Sequence, residues 1–396
     1  MASSPADHEP ESTTGGIPDD PSSLFSVDYD TVFTGGTPPG RLNRGLRLTL
    51  LRLLGPAPFR AFRRQRERSG EPTKPLTFDM VREALDALRV SHSSFRDRIT
   101  IAWPSVRGEL LVVRDNGGLH LVLQGRLRGR TGVEQLPVLQ DSLALGGERS
   151  LPVCFYPSVA ADGTLSVRFH TSLCVESGIT DAQLRTFLER GLVLVITGCL
   201  ALIHEIPQLA GPRVDPPELL RADAVEATQP VAGAVIPSPD ADSALPAVPT
   251  PLDMYRLRLI LERIRGDAEP HPKFRALALT VDEVEVQVTI GTDGTGAAGD
   301  LIVISRWEVP VEGAATAVFG EAALACAAFD RRCSTVNARA ALVEADAGNG
   351  PERVVVCAVA MFPVTVGATD AQLVAALECG ITGVVEAITV IREVLP

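Results

Sequence analysis

The sequence has 396 residues, of which 45% are apolar and only 5% aromatic, so it is long enough for two domains with mainly aliphatic cores. Its formal net charge of −12 argues against a protein that binds nucleic acid over its whole surface, because phosphate binding requires a basic surface. The seven cysteines form no CxxC pair, and most lie in apolar runs, which is typical of buried free thiols in a reducing compartment. We therefore expect a cytoplasmic protein.

The first 68 residues fall into two segments of opposite charge. Residues 1–40 hold seven acidic residues and no Lys or Arg, and their Pro, Gly and Ser content predicts a disordered acidic tail. Residues 41–68 contain nine Arg and one Glu, and a stripe of Leu predicts a basic amphipathic segment. Its candidate residues for binding a membrane or a partner are Arg47, Leu50, Leu53, Leu54, Phe59, Phe62, Arg63 and Arg64. The sequence leaves open whether this segment packs on the same chain or binds an anionic membrane or a protein.

Between residues 208 and 251 the composition is that of a linker rich in Pro and Ala, with nine prolines. It separates two blocks, 72–207 and 252–396. The ends of these blocks are related: aligned without gaps, 178–207 and 367–396 share 11 identities in 30 positions. We interpret the two blocks as an internal duplication.

Each block shows the same order of predicted elements. A helix opens it, as FDMVREALDAL in the first block and LDMYRLRLILERI in the second. Two strand-like runs around a Gly-rich turn follow, then a middle helix near 132–146 or 313–329, then two more strands and a long final helix. The predicted fold class is α+β, with two repeated modules that each contain an antiparallel sheet flanked by helices and a long C-terminal helix.

The motif G-x-T-D-A-Q-L, at 178–184 and again at 367–373, begins the final helix of each block. Thr180 and Gln183 have the spacing of a capping box, as do Thr369 and Gln372. The motif is therefore most simply a folding signal, and a binding role for its Asp and Gln is the alternative.

The repeated order of elements and this motif, together with Glu189 and Gly191 in the helix that follows, resemble the C-terminal part of YbjN domains. The run Gln124-Gly125-Arg126 resembles the family's strand that ends in Gly-Arg, whereas Ser305 replaces the Gly in the second block. The resemblance is to a tandem YbjN-domain protein and implies a fold like that of type III secretion chaperones. It implies no catalytic residues. By analogy with secretion chaperones, which act as dimers, it implies an internal pseudo-dimer that binds protein segments.

No catalytic or metal motif is recognisable in the sequence. The six histidines lack the spacing of metal ligands on a helix, and no Cys pair accompanies them. The glycine-rich run 289–300 is followed by a strand-like segment rather than by the helix that a phosphate loop requires. We therefore expect no enzyme activity, no cofactor and no metal, and an enzyme whose pocket is formed only by the fold is the weakest alternative.

Arginines alternate at the end of one predicted strand. Arg126, Arg128 and Arg130 lie at a spacing of two, which places them on one face. This face is either solvated or contacts an acidic segment of a partner. In the second block the candidate partner-binding residues are Arg306 and Trp307. Because the two sets differ, we expect the two halves to bind different targets.

These patterns favour a non-enzymatic, chaperone-like tandem module that forms an internal pseudo-dimer and holds a client or regulatory protein. The alternative is a regulator associated with the membrane surface and tethered through residues 41–68. Neither hypothesis requires nucleic acid.

Overall fold

The chain was analysed as a computed structural model, which describes residues 70–147, 153–160, 162–212, 234–237, 246–266, 268–271, 275–292, 298–311, 314–343 and 353–395. The predicted acidic tail 1–40 and basic segment 41–68 lie outside the described residues, as does most of the predicted linker 208–251. The predictions for Arg47, Leu50, Leu53, Leu54, Phe59, Phe62, Arg63 and Arg64 therefore remain predictions.

The described part of the chain is an α+β protein with two antiparallel sheets and six α-helices, as the order of elements predicts. The helices are α1 Phe78–Ala87, α2 Leu136–Gly147, α3 Asp181–Glu205, α4 Met254–Arg265, α5 Ala315–Asp330 and α6 Asp370–Val394. The strands of the first sheet are β1 His92–Ser94, β2 Arg98–Ala102, β3 Val106–Asp115, β4 Gly118–Leu127, β5 Thr131–Gly132, β6 Cys154–Val159, β7 Thr164–Cys174 and β8 Ala234–Val235. Those of the second are β9 Glu269–Pro270, β10 Leu277–Val281, β11 Val284–Thr292, β12 Ala298–Val309, β13 Asn337–Val343 and β14 Arg353–Pro363.

The two sheets share a strand order. In the first sheet the path runs β2-β3-β4-β7, and β6 pairs with β7. In the second the path runs β10-β11-β12-β14-β13. The sequence predicts four strands in each half, namely β3, β4, β6 and β7 in the first and β11, β12, β13 and β14 in the second. It misses the shorter strands β1, β2, β5, β9 and β10, of which the longest, β2 and β10, have only five residues. The short strand β8, from within the predicted linker, pairs with β3 at the register Val112↔Val235.

The helices of each half pack on one face of its sheet. In the first half the buried apolar core joins α1, α2 and α3 to the strands, and in the second it joins α4, α5 and α6 to the strands. The long helices lie close to their sheets at Gly191 and Gly380, where an added Cβ would be within 3.4 Å of Leu123 in one case and 3.0 Å of Val303 in the other. A Cβ at Gly380 would be tighter than an ordinary contact, whereas one at Gly191 would just reach van der Waals contact.

The helices α3 and α6 are long and apolar enough to cross a membrane by length and composition alone. Most of each is buried inside the protein, as is usual for the core helix of a globular domain. One face of α3 is buried along its length, and its residues recur every three to four positions: Leu184, Leu188, Gly191, Val195, Cys199 and Leu202.

Candidate functional site between the two halves

The repeated motif begins α3 and α6 with the same capping box. Thr180 Oγ1 accepts a hydrogen bond from the Gln183 backbone, and Gln183 Oε1 accepts one from the Thr180 backbone. Thr369 and Gln372 repeat both bonds. Such a box satisfies two N–H groups that would otherwise have no partner in the first turn, so the predicted folding role is confirmed.

The same two glutamines also join the halves. Gln183 Nε2 donates to the carbonyl of Gly367 at 2.9 Å and to Gln372 Oε1 at 3.1 Å. In return Gln372 Nε2 donates to the carbonyl of Gly178 at 2.8 Å and to Gln183 Oε1 at 3.0 Å. Each amide thus uses both donors and both acceptor positions, which removes the cost of burying it. The repeat is therefore both a cap and a reciprocal contact between its two copies.

The glycine at the start of the motif has its own structural reason. Gly178 and Gly367 have φ values of +76° and +85°, a region that favours glycine. Each also lies against an extended segment: Ile179 bridges Lys74, and Ala368 bridges Thr250. A Cβ at Gly367 would be 2.9 Å from the Thr250 carbonyl oxygen.

Beside the glutamines, on one side of the contact, Arg190 of α3 reaches across to Asp300 of β12. Arg190 Nη1 binds one carboxylate oxygen, and Nη2 donates to the other at 2.6 Å. Both side chains are 9% exposed, so the pair is desolvated and is favourable only because its geometry is bidentate.

On the other side, Cys379 of α6 reaches across to His120 of β4 and Cys174 of β7. One ligand atom from each of these three residues lies within 4.8 Å of the others. Neither ring nitrogen of the fully buried His120 has a hydrogen-bond partner among the described residues. Gly118 makes room for the group, since a Cβ there would lie 2.4 Å from Cys379 Sγ and 3.0 Å from His120 Nε2.

The pKa of Cys379 is lowered to about 5, mainly because Cys174 donates a hydrogen bond to its sulfur. Burial alone would raise this pKa, and the nearby imidazole of His120 helps to lower it. The pKa of Cys174 is raised well above its ordinary value because it keeps the proton of this hydrogen bond and is desolvated. Of the two thiols, that of Cys379 is therefore the more acidic. Two sulfurs and one imidazole are the donors that thiophilic metal ions prefer.

The two sides of the contact occupy equivalent positions in the duplication. In the gapless alignment Cys379 follows Arg190 by the same 189 residues that separate Gln372 from Gln183. The strand registers extend the equivalence: His120 pairs with Cys174 in the first sheet.

In the second sheet Asp300 pairs with Pro363, which follows Cys174 by 189 residues. Asp300 is thus the counterpart of His120, and Pro363 is the counterpart of Cys174. One position of the duplicated contact holds an ion pair, and the other holds the thiol–imidazole cluster.

The turn between β3 and β4 also inserts into the second half. Asp115 Oδ2 accepts hydrogen bonds from the Ser334 backbone at 3.0 Å and from its hydroxyl at 3.1 Å. Asn116 Nδ2 donates to Thr335 Oγ1 at 2.7 Å. The Asp-Asn-Gly-Gly run predicts this hairpin turn, but nothing in the run indicates what the turn contacts.

Arg126 lies on the face of the first sheet opposite α1, α2 and α3, because its neighbours Leu123 and Leu127 belong to the core beneath those helices. Arg107, Arg126 and Arg168 face one another across three neighbouring strands. Arg128 and Arg130 follow the end of β4. Burial, and then repulsion by the other four arginines, lowers the pKa of Arg126. We refer to these five residues as the arginine surface.

The corresponding residues of the second half are divided between two faces. Arg306 is exposed, whereas Trp307 points to the helices and lies under the guanidinium of Arg392 at 5.4 Å. In the neighbouring strand β14, Cys357 lies directly across from Arg306. The sequence grouped Arg306 with Trp307 because they are adjacent, but adjacent residues in a strand point to opposite faces.

The thiol–imidazole cluster is what the sequence reasoning missed, since none of its members are close in sequence. The alignment of the two blocks contains a signal that points to this cluster. The gapless alignment shows that Cys379 replaces Arg190 in a region where the motif around it is kept.

Comparison with known proteins gives little further information. No family model matches the sequence. No curated protein sequence matches it either. Among solved structures, the chain is similar to "YbjN, a putative transcription regulator from E. coli", with 16% sequence identity and a TM-score of 0.28. The similarity covers 33% of this chain and 93% of the YbjN chain.

Proposed function

We propose that this protein is a non-enzymatic protein-binding module. Its two YbjN-like halves, 72–207 and 252–396, form an internal pseudo-dimer, and the arginine surface holds an acidic segment of a client or regulatory protein. The observation that supports this proposal most is the row of Arg107, Arg126 and Arg168 on neighbouring strands.

Like charges placed directly opposite each other across strands are destabilising. The protein keeps three of them in a row, with Arg128 and Arg130 nearby, although its formal net charge is −12. A cluster of positive charge of this kind would attract an anionic partner and steer its approach to this surface. In the second half Arg306 and Arg339 lie on either side of Cys357 in neighbouring strands, so this row holds two arginines separated by a cysteine instead of three adjacent ones.

Two cavities among the described residues are candidate binding sites. A cavity of about 30 Å³ lies at the contact between the halves, beside Gln183 and Gln372, and is too small for a substrate. An open groove of about 660 Å³ near the ends of α5 and α6 is lined by Ala328, Arg331, Arg332, Val390, Glu393 and Val394. This lining contains no nucleophile or histidine among the described residues.

The test uses a fluorescein-labelled peptide of ten glutamates as an acidic probe, with full-length protein at low salt. We expect Arg130→Ala/Arg168→Ala to weaken binding by roughly tenfold, which corresponds to about 1.4 kcal/mol. Both residues are exposed, so the fold should be unaffected. The matched control is Arg263→Ala/Arg265→Ala, which removes two exposed arginines from α4. Equal binding by the two double variants would contradict the proposal.

A crosslinking pull-down from the native cell would then identify a natural partner of the protein. A client retained by the wild type and by the control variant, but lost from Arg130→Ala/Arg168→Ala, would support the arginine surface as its binding site.

The alternative proposal is a peripheral membrane regulator tethered by residues 41–68. It is supported by the sequence of that segment, whose nine arginines suit an anionic surface. We expect sedimentation with vesicles containing phosphatidylserine to require the segment. Equal sedimentation after its deletion would defeat this alternative.

A further inference from the structure

In the cluster of His120, Cys174 and Cys379, the imidazole of His120 is a buried polar group without a hydrogen-bond partner among the described residues. Its side chain is completely buried, and both ring nitrogens lack such a partner. A buried polar group without a partner costs about 1–3 kcal/mol. In the equivalent position of the second half, Asp300 is satisfied by Arg190. A ligand for His120 is therefore the missing element at this position.

The neighbours of His120 indicate what that ligand is. Cys379 Sγ and Cys174 Sγ lie within 4.8 Å of the imidazole donor atom and of each other. In a tetrahedral zinc site, Zn–S distances of about 2.3 Å and Zn–N distances of about 2.0–2.1 Å place donor atoms roughly 3.5–3.8 Å apart. The three donors therefore need only small movements to bind one ion.

Two other uses of the cluster fit less well. A disulfide between Cys174 and Cys379 would leave the nitrogens of His120 without a partner. A catalytic thiolate would have to reach its substrate, but Cys379 is only 4% exposed. Cys174 is partly exposed, so a small ion can approach the cluster from that side.

We propose that His120, Cys174 and Cys379 bind a Zn²⁺ ion that links the two halves of the chain. Both cysteines bind as thiolates, so any proton on their sulfur atoms is released to solvent when the metal binds. His120 binds as the neutral imidazole through one ring nitrogen. Two of the ligands come from the first half and one comes from α6 of the second half. The bound ion would therefore stabilise the contact between the two halves.

Gly118 offers a way to block the site without removing a ligand. Its φ lies in the ordinary range, so Gly118→Ala is compatible with the backbone, yet the new methyl group would lie 2.4 Å from Cys379 Sγ. Cys379→Ser removes a ligand directly. The matched control is Cys199→Ser, which changes a buried thiol in α3 that does not belong to the cluster.

The experiment titrates Co²⁺ and then Zn²⁺ into reduced, chelator-treated full-length protein. We expect one Co²⁺ per chain, with the near-ultraviolet charge-transfer absorption of cobalt–thiolate bonds and the visible bands of a tetrahedral ion, displaced by Zn²⁺. The absorption should disappear in Cys379→Ser and Gly118→Ala and persist in Cys199→Ser. Zn²⁺ should also raise the Tm of the wild type and of Cys199→Ser.

Circular dichroism establishes that each variant is folded before titration. If Cys379→Ser does not fold, Cys174→Ser replaces it, because Cys174 is partly exposed. The proposal is overturned if the wild type binds no stoichiometric Zn²⁺, if it binds only Cu⁺, or if the folded cluster variants bind Zn²⁺ as tightly as the wild type.

Discussion

The two sides of the contact between the halves occupy equivalent positions in the gapless alignment but differ in chemistry. On one side Arg190 and Asp300 form a bidentate ion pair. On the other, Cys379 approaches His120 and Cys174. The glutamines between them are unchanged and bond reciprocally. The comparison teaches that a duplicated interface keeps the polar groups that must satisfy each other, while the positions on either side can diverge in pairs.

The largest expected effect comes from breaking the ion pair. Asp300→Ala leaves Arg190 buried without its carboxylate, and we expect a loss of about 3–5 kcal/mol in the free energy of unfolding. The measurement is urea denaturation followed by circular dichroism. Glu386→Ala, which removes an exposed acid from α6, should have almost no effect and serves as the control.

A double variant sharpens this prediction. Arg190→Met/Asp300→Leu replaces both charges with apolar groups and should recover most of the stability, because no buried charge is left alone. A double variant as unstable as Asp300→Ala would show that the loss arises from packing rather than from the unpaired charge.

The second prediction separates the capping role of the repeated Gln from its role between the halves. Gln183→Glu keeps an acceptor for the capping box, because Glu is equally common at that position. It loses the donor to Gly367 and turns a carboxylate towards Gln372 Oε1. We expect a loss of about 2–3 kcal/mol by urea denaturation, since a buried hydrogen-bonded group is left unsatisfied.

The control for this prediction is Gln208→Glu, at an exposed position. If Gln183→Glu is as stable as that control, the repeated Gln acts only as a cap, and the reciprocal contact contributes nothing.

The third prediction compares the repeated glutamate, which is buried in one half and exposed in the other. Glu189 is 3% exposed and its carboxylate has no hydrogen-bond partner among the described residues. Desolvation raises its pKa from 4.5 to about 7, with Arg185 opposing. The folded state therefore holds the proton more tightly than the unfolded state, so stability falls as the pH rises from about 4.5 to 7.

Glu189→Gln removes this ionisation. We expect the variant to be more stable than the wild type by about 3 kcal/mol at pH 8 and to differ little at pH 4.5, since each pKa unit corresponds to about 1.4 kcal/mol. The measurement is the free energy of unfolding across this pH range. Glu378→Gln, at the exposed equivalent position, should leave the pH profile unchanged, and equal profiles for both variants would contradict the burial argument.

The smallest expected effects concern the cations beside the two motifs. Arg256 binds Asp370 at 2.6 Å and also donates to the carbonyls of Thr250, Pro251 and Ala368. Its counterpart Lys74 binds Asp181 at 2.8 Å. Arg256→Lys should cost about 1 kcal/mol, because an ammonium group cannot reach all of these acceptors, whereas Lys74→Arg should be nearly neutral.

Thermal unfolding of these two variants gives the comparison directly. Equal shifts in Tm would show that both cations act only through the exposed carboxylate, as ordinary surface ion pairs do.

Much of the fold could be predicted from the sequence, because its signals are local. The capping boxes, the long helices and the hairpin at Asp115–Gly118 follow from residues a few positions apart. Strands β2 and β10 were missed because five residues carry too little pattern.

The contact between the halves could be predicted only in part. The repeated sequence predicts that equivalent residues of the two halves meet near a common axis. It does not predict that Gln183 bonds to Gln372, because that contact depends on how the two halves pack. The cluster of His120, Cys174 and Cys379 joins residues 54 to 259 positions apart. No local pattern encodes such a group, and only the alignment of Arg190 with Cys379 indicates a change there.

The central claim is that the two halves form one body through their own contacts rather than through the chain that joins them. It is tested by inserting a protease site after Ala222, within the predicted linker, and cleaving the folded protein. We expect the two fragments to elute together from a size-exclusion column at low micromolar concentration and to separate more readily in Gln183→Glu. Fragments of the cleaved wild type that separate completely under native conditions would contradict the account.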